Sequence, residues 1–207
     1  LDVFRQFDIG FLFIIGGNDS AETGHKIAYE TNRIGFELLV VQVPKTIDND
    51  LTMTDHSPGY GSAARFVALA TMGAGRDAET MRLTTPFTII EVMGRDIGWL
   101  SASSVLGKRE EKDAPHVICV PESPLETETF LSLMSEAYRK FGFAVAVVAE
   151  NTRNGSGDPF GKEQKPWYVD EFGHPYYEGA GRHLSNAMGV HFNTRVRYEK
   201  PGTIQRS

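Results

Sequence analysis

Residues 11–20 read FLFIIGGNDS, which is five apolar residues, two glycines and three polar residues in that order. A short apolar run without alternation is typical of a strand that is covered on both faces. A segment of helical period follows, and the glycines form a tight turn in which Asp19 or Ser20 is a candidate N-cap for that helix. A strand that passes through a turn into a helix is the first half of a βαβ unit. The stretch therefore predicts an α/β fold.

The same order of segments recurs along the chain and predicts a mainly parallel sheet. The candidate strands are Phe11–Ile15, Glu37–Val43, Phe87–Val92, His116–Val120 and Phe143–Ala149. The candidate helices are Ala21–Arg33, Gly61–Met72, Ile97–Lys108, Glu126–Phe141 and Tyr177–Met188. A polar segment rich in Gly and Pro, residues 151–176, reads as a long loop. We expect a three-layered α/β protein with helices on both faces of the sheet.

Composition and charge are those of an ordinary globular protein. The chain has 207 residues, a formal net charge of -6 and a hydrophobic fraction of 41%, which is ordinary for a globular protein. Its basic residues are scattered, so no nucleic acid is expected as a partner. Cys119 is the only cysteine and lies in an apolar run, which predicts a buried, unreactive thiol. No signal peptide or membrane-spanning run is visible, so we expect a cytoplasmic protein without a membrane partner.

Polar residues suited to phosphate chemistry follow four of the candidate strands. Ligands of open α/β sheets bind beyond the carboxyl ends of the strands, so we expect these segments to lie together. Segment 44–50 is the most informative, because it places Asp48 and Asp50 beside Thr46 and the positive charge of Lys45. Phosphoryl transfer needs a base for the attacking hydroxyl and cations for the transferred oxygens. The four segments are residues 16–20, 44–50 and 93–96, and Glu150.

Segment 44–50, Pro-Lys-Thr-Ile-Asp-Asn-Asp, together with segments 16–20 and 93–95, resembles the pyrophosphate-dependent branch of the 6-phosphofructokinases. Segments 59–63 and 202–206 fit the same family in the same order. The resemblance implies two Rossmann-like lobes, incomplete here, with the active site in the cleft between them. Residues 1–60 would belong to the phosphate-donor lobe, residues 61–196 to the sugar-phosphate lobe, and residues 197–207 would cross back. We expect the chain to be a fragment from the middle of a longer polypeptide.

The resemblance implies transfer of a phosphoryl group from pyrophosphate to the 1-hydroxyl of fructose 6-phosphate, with Mg²⁺ as cofactor. Asp48 is the implied base, with Arg95 and Lys45 as catalytic cations. Arg197 would act in the site of a neighbouring subunit, which implies a homodimer or homotetramer. The implied substrate-binding residues are Thr46, Asp50, Met93, Gly94, Glu150, Arg197, Thr203 and Arg206, and the implied metal ligand is Asn18.

The choice of phosphoryl donor depends on Gly17, Asp19 and Lys45, which the resemblance places at the donor site. ATP-using relatives carry glycine where this chain has Asp19 and Lys45. The Asp19 side chain adds bulk and negative charge where a nucleotide would run, and Lys45 would hold the dense charge of pyrophosphate. These two residues therefore favour pyrophosphate over ATP.

Departures from the family pattern leave alternatives open. Asn18 stands where the family usually has a magnesium-coordinating aspartate, and Pro86 where many relatives have a phosphate-binding arginine. These two residues motivate a sugar-phosphate-binding regulatory subunit that lacks catalysis. An ATP-dependent 6-phosphofructokinase is a further alternative, although Thr203 replaces a histidine of many ATP-using relatives. A dinucleotide-dependent dehydrogenase is disfavoured, because no G-x-G-x-x-G sequence opens a helix after a strand.

Overall fold

A computed structural model of the chain describes residues 1–160, 166, 168–169, 171, 173 and 175–207. Two parallel sheets, with helices packed on them, contain most of the regular structure. The predicted α/β class is therefore confirmed. Within the described ranges, no helix combines the length and the apolar character that crossing a membrane requires.

The first sheet has two parallel strands and precedes residue 60. Its elements are α1 (Asp2–Gln6), β1 (Phe11–Gly16), α2 (Asn18–Arg33) and β2 (Leu39–Pro44). Phe11 lies opposite Leu39, and Gly16 lies opposite Pro44. The prediction that strands are covered on both faces is wrong for β1, because α2 covers one face while Phe11, Phe13 and Ile15 on the other are more than 60% exposed.

The strands of the second sheet are β3 (Phe87–Val92), β4 (Val117–Cys119), β5 (Ala144–Ala149) and β8 (Val196–Glu199). All four are parallel and lie in the order β4-β5-β3-β8. Its helices are α3 (Tyr60–Thr80), α4 (Trp99–Ser103), α5 (Thr127–Phe141) and α6 (Ala180–Phe192), and 3₁₀-helices span Ser104–Gly107 and Gly202–Arg206. All residues of β3 and β5 are buried, as expected of strands covered on both faces.

Two apolar clusters fill the two sides of this second sheet. Ile89 of β3 packs with Phe130 of α5 and Leu184 of α6, whereas Ile90 packs with Val67 of α3 and Leu100 of α4. Successive residues of a strand point to opposite faces, so adjacent isoleucines serve different helical layers. The three-layered arrangement is confirmed here.

Several elements differ from the sequence-based expectations. Helix α3 continues to Thr80, well beyond the predicted end at Met72, and strand β8 was not predicted. The predicted loop 151–176 contains a short antiparallel pairing of β6 (Tyr168–Val169) with β7 (Pro175–Tyr176). Residues 161–165, 167, 170, 172 and 174 of that loop lie outside the described residues. Cys119 is buried as predicted, which raises the pKa of its thiol to about 12.

Candidate active site

A cleft of about 470 Å³ lies at the carboxyl ends of β1, β2, β3 and β5. It brings together most of the residues singled out by sequence, although they come from distant parts of the chain. The predicted site residues that line it are Gly17, Asn18, Asp19, Lys45, Thr46, Asp48, Met93, Arg95, Glu150 and Arg206. Ser20, Ile47 and Pro58 complete its lining.

The loop after β2 positions Asp48 through backbone and side-chain hydrogen bonds. The Lys45 N–H donates to the Gly16 carbonyl at 3.0 Å, and the Asp48 N–H donates to Thr46 Oγ1 at 3.1 Å. Asn49 has a left-handed backbone, with φ of 60°, and its Oδ1 accepts the Ser57 N–H at 2.8 Å. Sequence analysis did not single out Asn49, although asparagine tolerates this conformation better than most residues and thus offered a signal.

Charges around Asp48 give its carboxyl group an unusual environment. Burial raises the pKa of Asp48, and the neighbouring carboxylate of Asp50 raises it further. The cations of Arg95, Arg206 and Lys45 act in the opposite direction. A half-buried carboxylate with a raised pKa, facing three cations, is suited to accept a proton next to a negatively charged substrate.

The turn after β1 brings the start of α2 to the cleft. The interpretation that Asp19 or Ser20 caps this helix is wrong, because α2 begins at Asn18 with Gly17 as its N-cap. A Cβ at Gly16 would come within 2.0 Å of the Ser20 side chain, so the turn requires glycine there. Asp19 lies in the first helical turn, and its carboxylate is 3.7 Å from the Arg95 guanidinium. This ion pair links the first sheet to the end of β3.

Asn18 and Asp50 have the donor atoms that a magnesium ion takes. The Asn18 amide donates from Nδ2 to Asp50 Oδ2 at 3.0 Å. Asp50 Oδ1 is buried and has no hydrogen-bond partner among the described residues, so this oxygen is available to a cation. No cluster of three or more metal-binding side chains occurs in the described part of the chain. These residues fit Mg²⁺, which keeps several waters and often takes one or two protein ligands plus phosphate oxygens.

Segment 93–95 and Glu150 form the wall of the cleft contributed by the second sheet. The Gly94 N–H donates a hydrogen bond to the Glu150 carboxylate. Gly94 has φ of 135°, and a Cβ there would come within 2.7 Å of the Ile97 carbonyl oxygen, so only glycine fits. Burial raises the pKa of Glu150. The turn thus aims Met93, Arg95 and Glu150 into one space.

Gln205 fixes the last segment of the chain against this wall. Its side chain is buried, and its Oε1 accepts the Met93 N–H at 3.2 Å while its Nε2 donates to the Gly202 carbonyl at 2.8 Å. The neighbouring Arg206 lines the cleft. Sequence analysis named Arg206 but not Gln205, and a polar residue between Ile204 and Arg206 gave no local signal of burial.

Four predicted site residues do not line the cleft. Asp50 accepts a hydrogen bond from Asn18, which does line the cleft, and Gly94 donates its backbone N–H to Glu150. Thr203 is exposed on the last 3₁₀-helix. Arg197 lies on β8 and forms an ion pair with Asp77 of α3, away from the cleft. The role of Arg197 in a neighbouring subunit stays a prediction.

Comparison with known proteins identifies related sequences and structures. The family model described as Phosphofructokinase matches residues 1–207. A pyrophosphate--fructose 6-phosphate 1-phosphotransferase of Halomonas elongata is 34% identical over all of this chain and 49% of its own length. An ATP-dependent 6-phosphofructokinase 2 of Streptomyces coelicolor is 32% identical over 99% of this chain and 55% of its own length. The chain therefore resembles enzymes with either donor.

A solved structure supports the same relationship. The pyrophosphate-dependent phosphofructokinase of Marinobacter aquaeolei superposes with a TM-score of 0.76 at 33% identity, covering 99% of this chain and 47% of that protein. The chain spans about half the length of the first of these curated relatives and of this structure.

Proposed function

Because this chain belongs to the phosphofructokinase family, we propose that it carries the catalytic site of a phosphotransferase that moves a phosphoryl group from pyrophosphate to fructose 6-phosphate. The observation that carries the proposal is the position of Asp48, half-buried at the mouth of the cleft and facing Arg95, Arg206 and Lys45. A base surrounded by cations suits attack by a hydroxyl on a charged phosphoryl group.

The proposed reaction uses the residues of the cleft in defined roles. The sugar 1-oxygen forms a bond to phosphorus as Asp48 takes its proton, and the bridging P–O bond of pyrophosphate breaks to release phosphate. Arg95 and Lys45 stabilise the charge on the transferred oxygens. Glu150 accepts hydrogen bonds from sugar hydroxyls, and Arg206 binds the 6-phosphate as a bidentate donor. Asn18 and Asp50 would hold Mg²⁺, which supplies positive charge to the donor phosphates.

Pyrophosphate is the proposed donor because Asp19 and Lys45 both line the cleft. Asp19 pairs with Arg95 and thereby puts a carboxylate at the donor side, where it would repel the longer chain of a nucleotide. Lys45 lies across the turn from Gly17 and adds a compact positive charge. An ATP-dependent enzyme is the second candidate, since the Streptomyces coelicolor relative carries that name.

A donor assay tests this proposal. The purified protein is assayed with fructose 6-phosphate, Mg²⁺ and either pyrophosphate or ATP, before and after the changes Asp19→Gly and Lys45→Gly. We expect turnover with pyrophosphate, and a gain of ATP use in the doubly changed protein. Better turnover with ATP in the unchanged protein would contradict the donor assignment, and sugar binding without any turnover would favour a regulatory subunit.

A further inference from the structure

Glu91 is a buried carboxylate for which the proposed reaction has no role. It lies one residue before the end of β3, and its side chain has no solvent exposure. Lys200 Nζ is 2.7 Å from its Oε1, and the Gly181 N–H at the start of α6 donates to its Oε2 at 2.9 Å. A Cβ at Gly179 would come within 2.3 Å of Oε1. Glycine at position 179 thus leaves room for the Glu91 carboxylate, and a buried carboxylate is costly unless it is paired and hydrogen-bonded.

The partners of Glu91 adjoin Glu150, the predicted sugar-binding carboxylate. The Glu150 N–H donates to the Val92 carbonyl at 2.9 Å, and its own carbonyl accepts the Ala180 N–H at 3.4 Å. The start of α6 therefore contacts Glu91 through a side chain and Glu150 through the backbone. Lys200 follows directly after β8 and precedes the segment that carries Gln205 and Arg206.

Charges face this pair of carboxylates from several elements. Burial raises the pKa of Glu150 most, the Lys200 ammonium after β8 lowers it, and the carboxylates of Asp48 and Glu91 raise it further. Tyr198 of β8 hydrogen-bonds to Glu91, and Arg182 of α6 lies over the Tyr198 ring at 4.2 Å. Glu178, before α6, also acts on Tyr198. Lys200 pairs directly with Glu91, and Glu91 lies opposite Val148 of β5, two residues before Glu150.

We propose that Lys200 is a positioning residue whose ammonium, anchored on Glu91, keeps Glu150 ionised so that Glu150 accepts hydrogen bonds from the hydroxyls of a phosphorylated sugar. The ligand of Glu150 rests on the proposed function. Three neighbouring carboxylates do not all ionise easily, and an incoming phosphate ester adds more negative charge. A protonated Glu150 would donate one hydrogen bond and lose acceptor capacity.

A change that removes the charge and a change that keeps it test the role of Lys200. Lys200→Met removes the ammonium but keeps a long apolar side chain, and Lys200→Arg keeps a positive charge at this position. We expect Lys200→Met to move the acid limb of kcat/KM for the sugar phosphate to higher pH by about one unit or more, with KM changed more than kcat. Lys200→Arg should leave the profile close to that of the unchanged protein.

Two controls separate this effect from structural damage. In a Glu150→Gln background, Lys200→Met should no longer move the acid limb, because the titrating group is gone. Infrared difference spectra of the protein minus its Glu150→Gln variant give the protonation midpoint of Glu150 without any turnover. A midpoint that rises in Lys200→Met supports the proposal.

An unchanged midpoint, or an equal loss of activity at every pH, would show that Lys200 is only structural. If the unchanged protein neither binds nor phosphorylates fructose 6-phosphate, the proposed function fails, while the infrared midpoint still decides whether Lys200 controls Glu150.

Discussion

Asp48 and Asp55 lie on the same loop but in different surroundings, which makes them a matched pair at the scale of single residues. Asp48 lines the cleft, whereas the Asp55 side chain is exposed outside it. The backbone carbonyl of Asp55 accepts a hydrogen bond from Asn49 Nδ2. We expect Asp48→Asn to lower kcat by about 10²- to 10⁴-fold with little change in KM, since a general base is lost. Asp55→Asn should leave kcat nearly unchanged, as measured by initial rates. Equal losses in both variants would contradict a base at position 48.

Single residues also show how far sequence predicted the site. The segments that carry Asp48, Asp19 and Arg95 were recognisable because several polar groups follow strands whose carboxyl ends share one edge. Gln205 and Lys200 were not recognisable, because their roles depend on partners that are more than 100 residues away, Met93 and Glu91. A side chain that is fixed by such a distant contact leaves no periodic or local signal.

Among the elements, helix α3 contains two glycines, Gly73 and Gly75, that have different surroundings. Gly73 is exposed and a Cβ there would meet nothing within 4 Å, whereas a Cβ at Gly75 would come within 2.7 Å of the Ala114 Cβ. We expect Gly73→Ala to stabilise the protein by about 0.5–1 kcal/mol, because alanine is the better helix former. Gly75→Ala should instead destabilise it through overpacking. Denaturant unfolding of both variants measures the difference, and equal effects would contradict the packing of α3 on residue 114.

The same glycines explain why the end of α3 was predicted too early. Gly73 and Gly75 read as helix terminators when only local propensity is considered. In the structure, Gly75 is the place where the helix approaches the chain at Ala114, so tertiary packing outweighs the propensity cost. Strand β8 was missed for a related reason. Its sequence, Val-Arg-Tyr-Glu, is short and half charged, and it becomes a strand through pairing with β3.

His116, which directly precedes β4, is expected to make the stability of the protein depend on pH. Its Nδ1 accepts the Val145 N–H at 3.0 Å, and its ring packs against Phe141 and Phe143. Burial lowers the pKa of His116, and the nearby Lys108 lowers it further, so the unfolded state binds the proton more readily. Stability should therefore be fully present above the ordinary histidine pKa of about 6.5 and should fall as the pH drops below it.

The control for this pH effect is a side chain that accepts the same hydrogen bond without titrating. His116→Gln should flatten the dependence of Tm on pH between about 5.5 and 7.5. His25→Gln, on the exposed face of α2, should leave that dependence unchanged. If the two variants behave alike, His116 does not titrate in this range.

In the molecule as a whole, the two sheets contribute opposite walls of one cleft, and the family resemblance implies that a second subunit completes it. Arg197 lies on β8 beside Asp77, outside the cleft of its own chain. If Arg197 acts in the site of a neighbouring subunit, as the family resemblance implies, each active site combines Asp48 from one chain with Arg197 from the other. Each variant alone should then have little activity.

Mixed oligomers provide the test. In a mixed dimer, one site contains both defects, whereas the other combines an intact Asp48 with the partner's intact arginine. Random reassembly of equal amounts should therefore restore about a quarter of the unchanged activity, because half of the dimers are mixed and each has one intact site. Initial rates before and after reassembly measure this recovery. If Arg197 acts within its own chain instead, each site of a mixed dimer carries one of the two defects and no site is intact. The absence of recovery would therefore place the role of Arg197 in its own chain or outside catalysis.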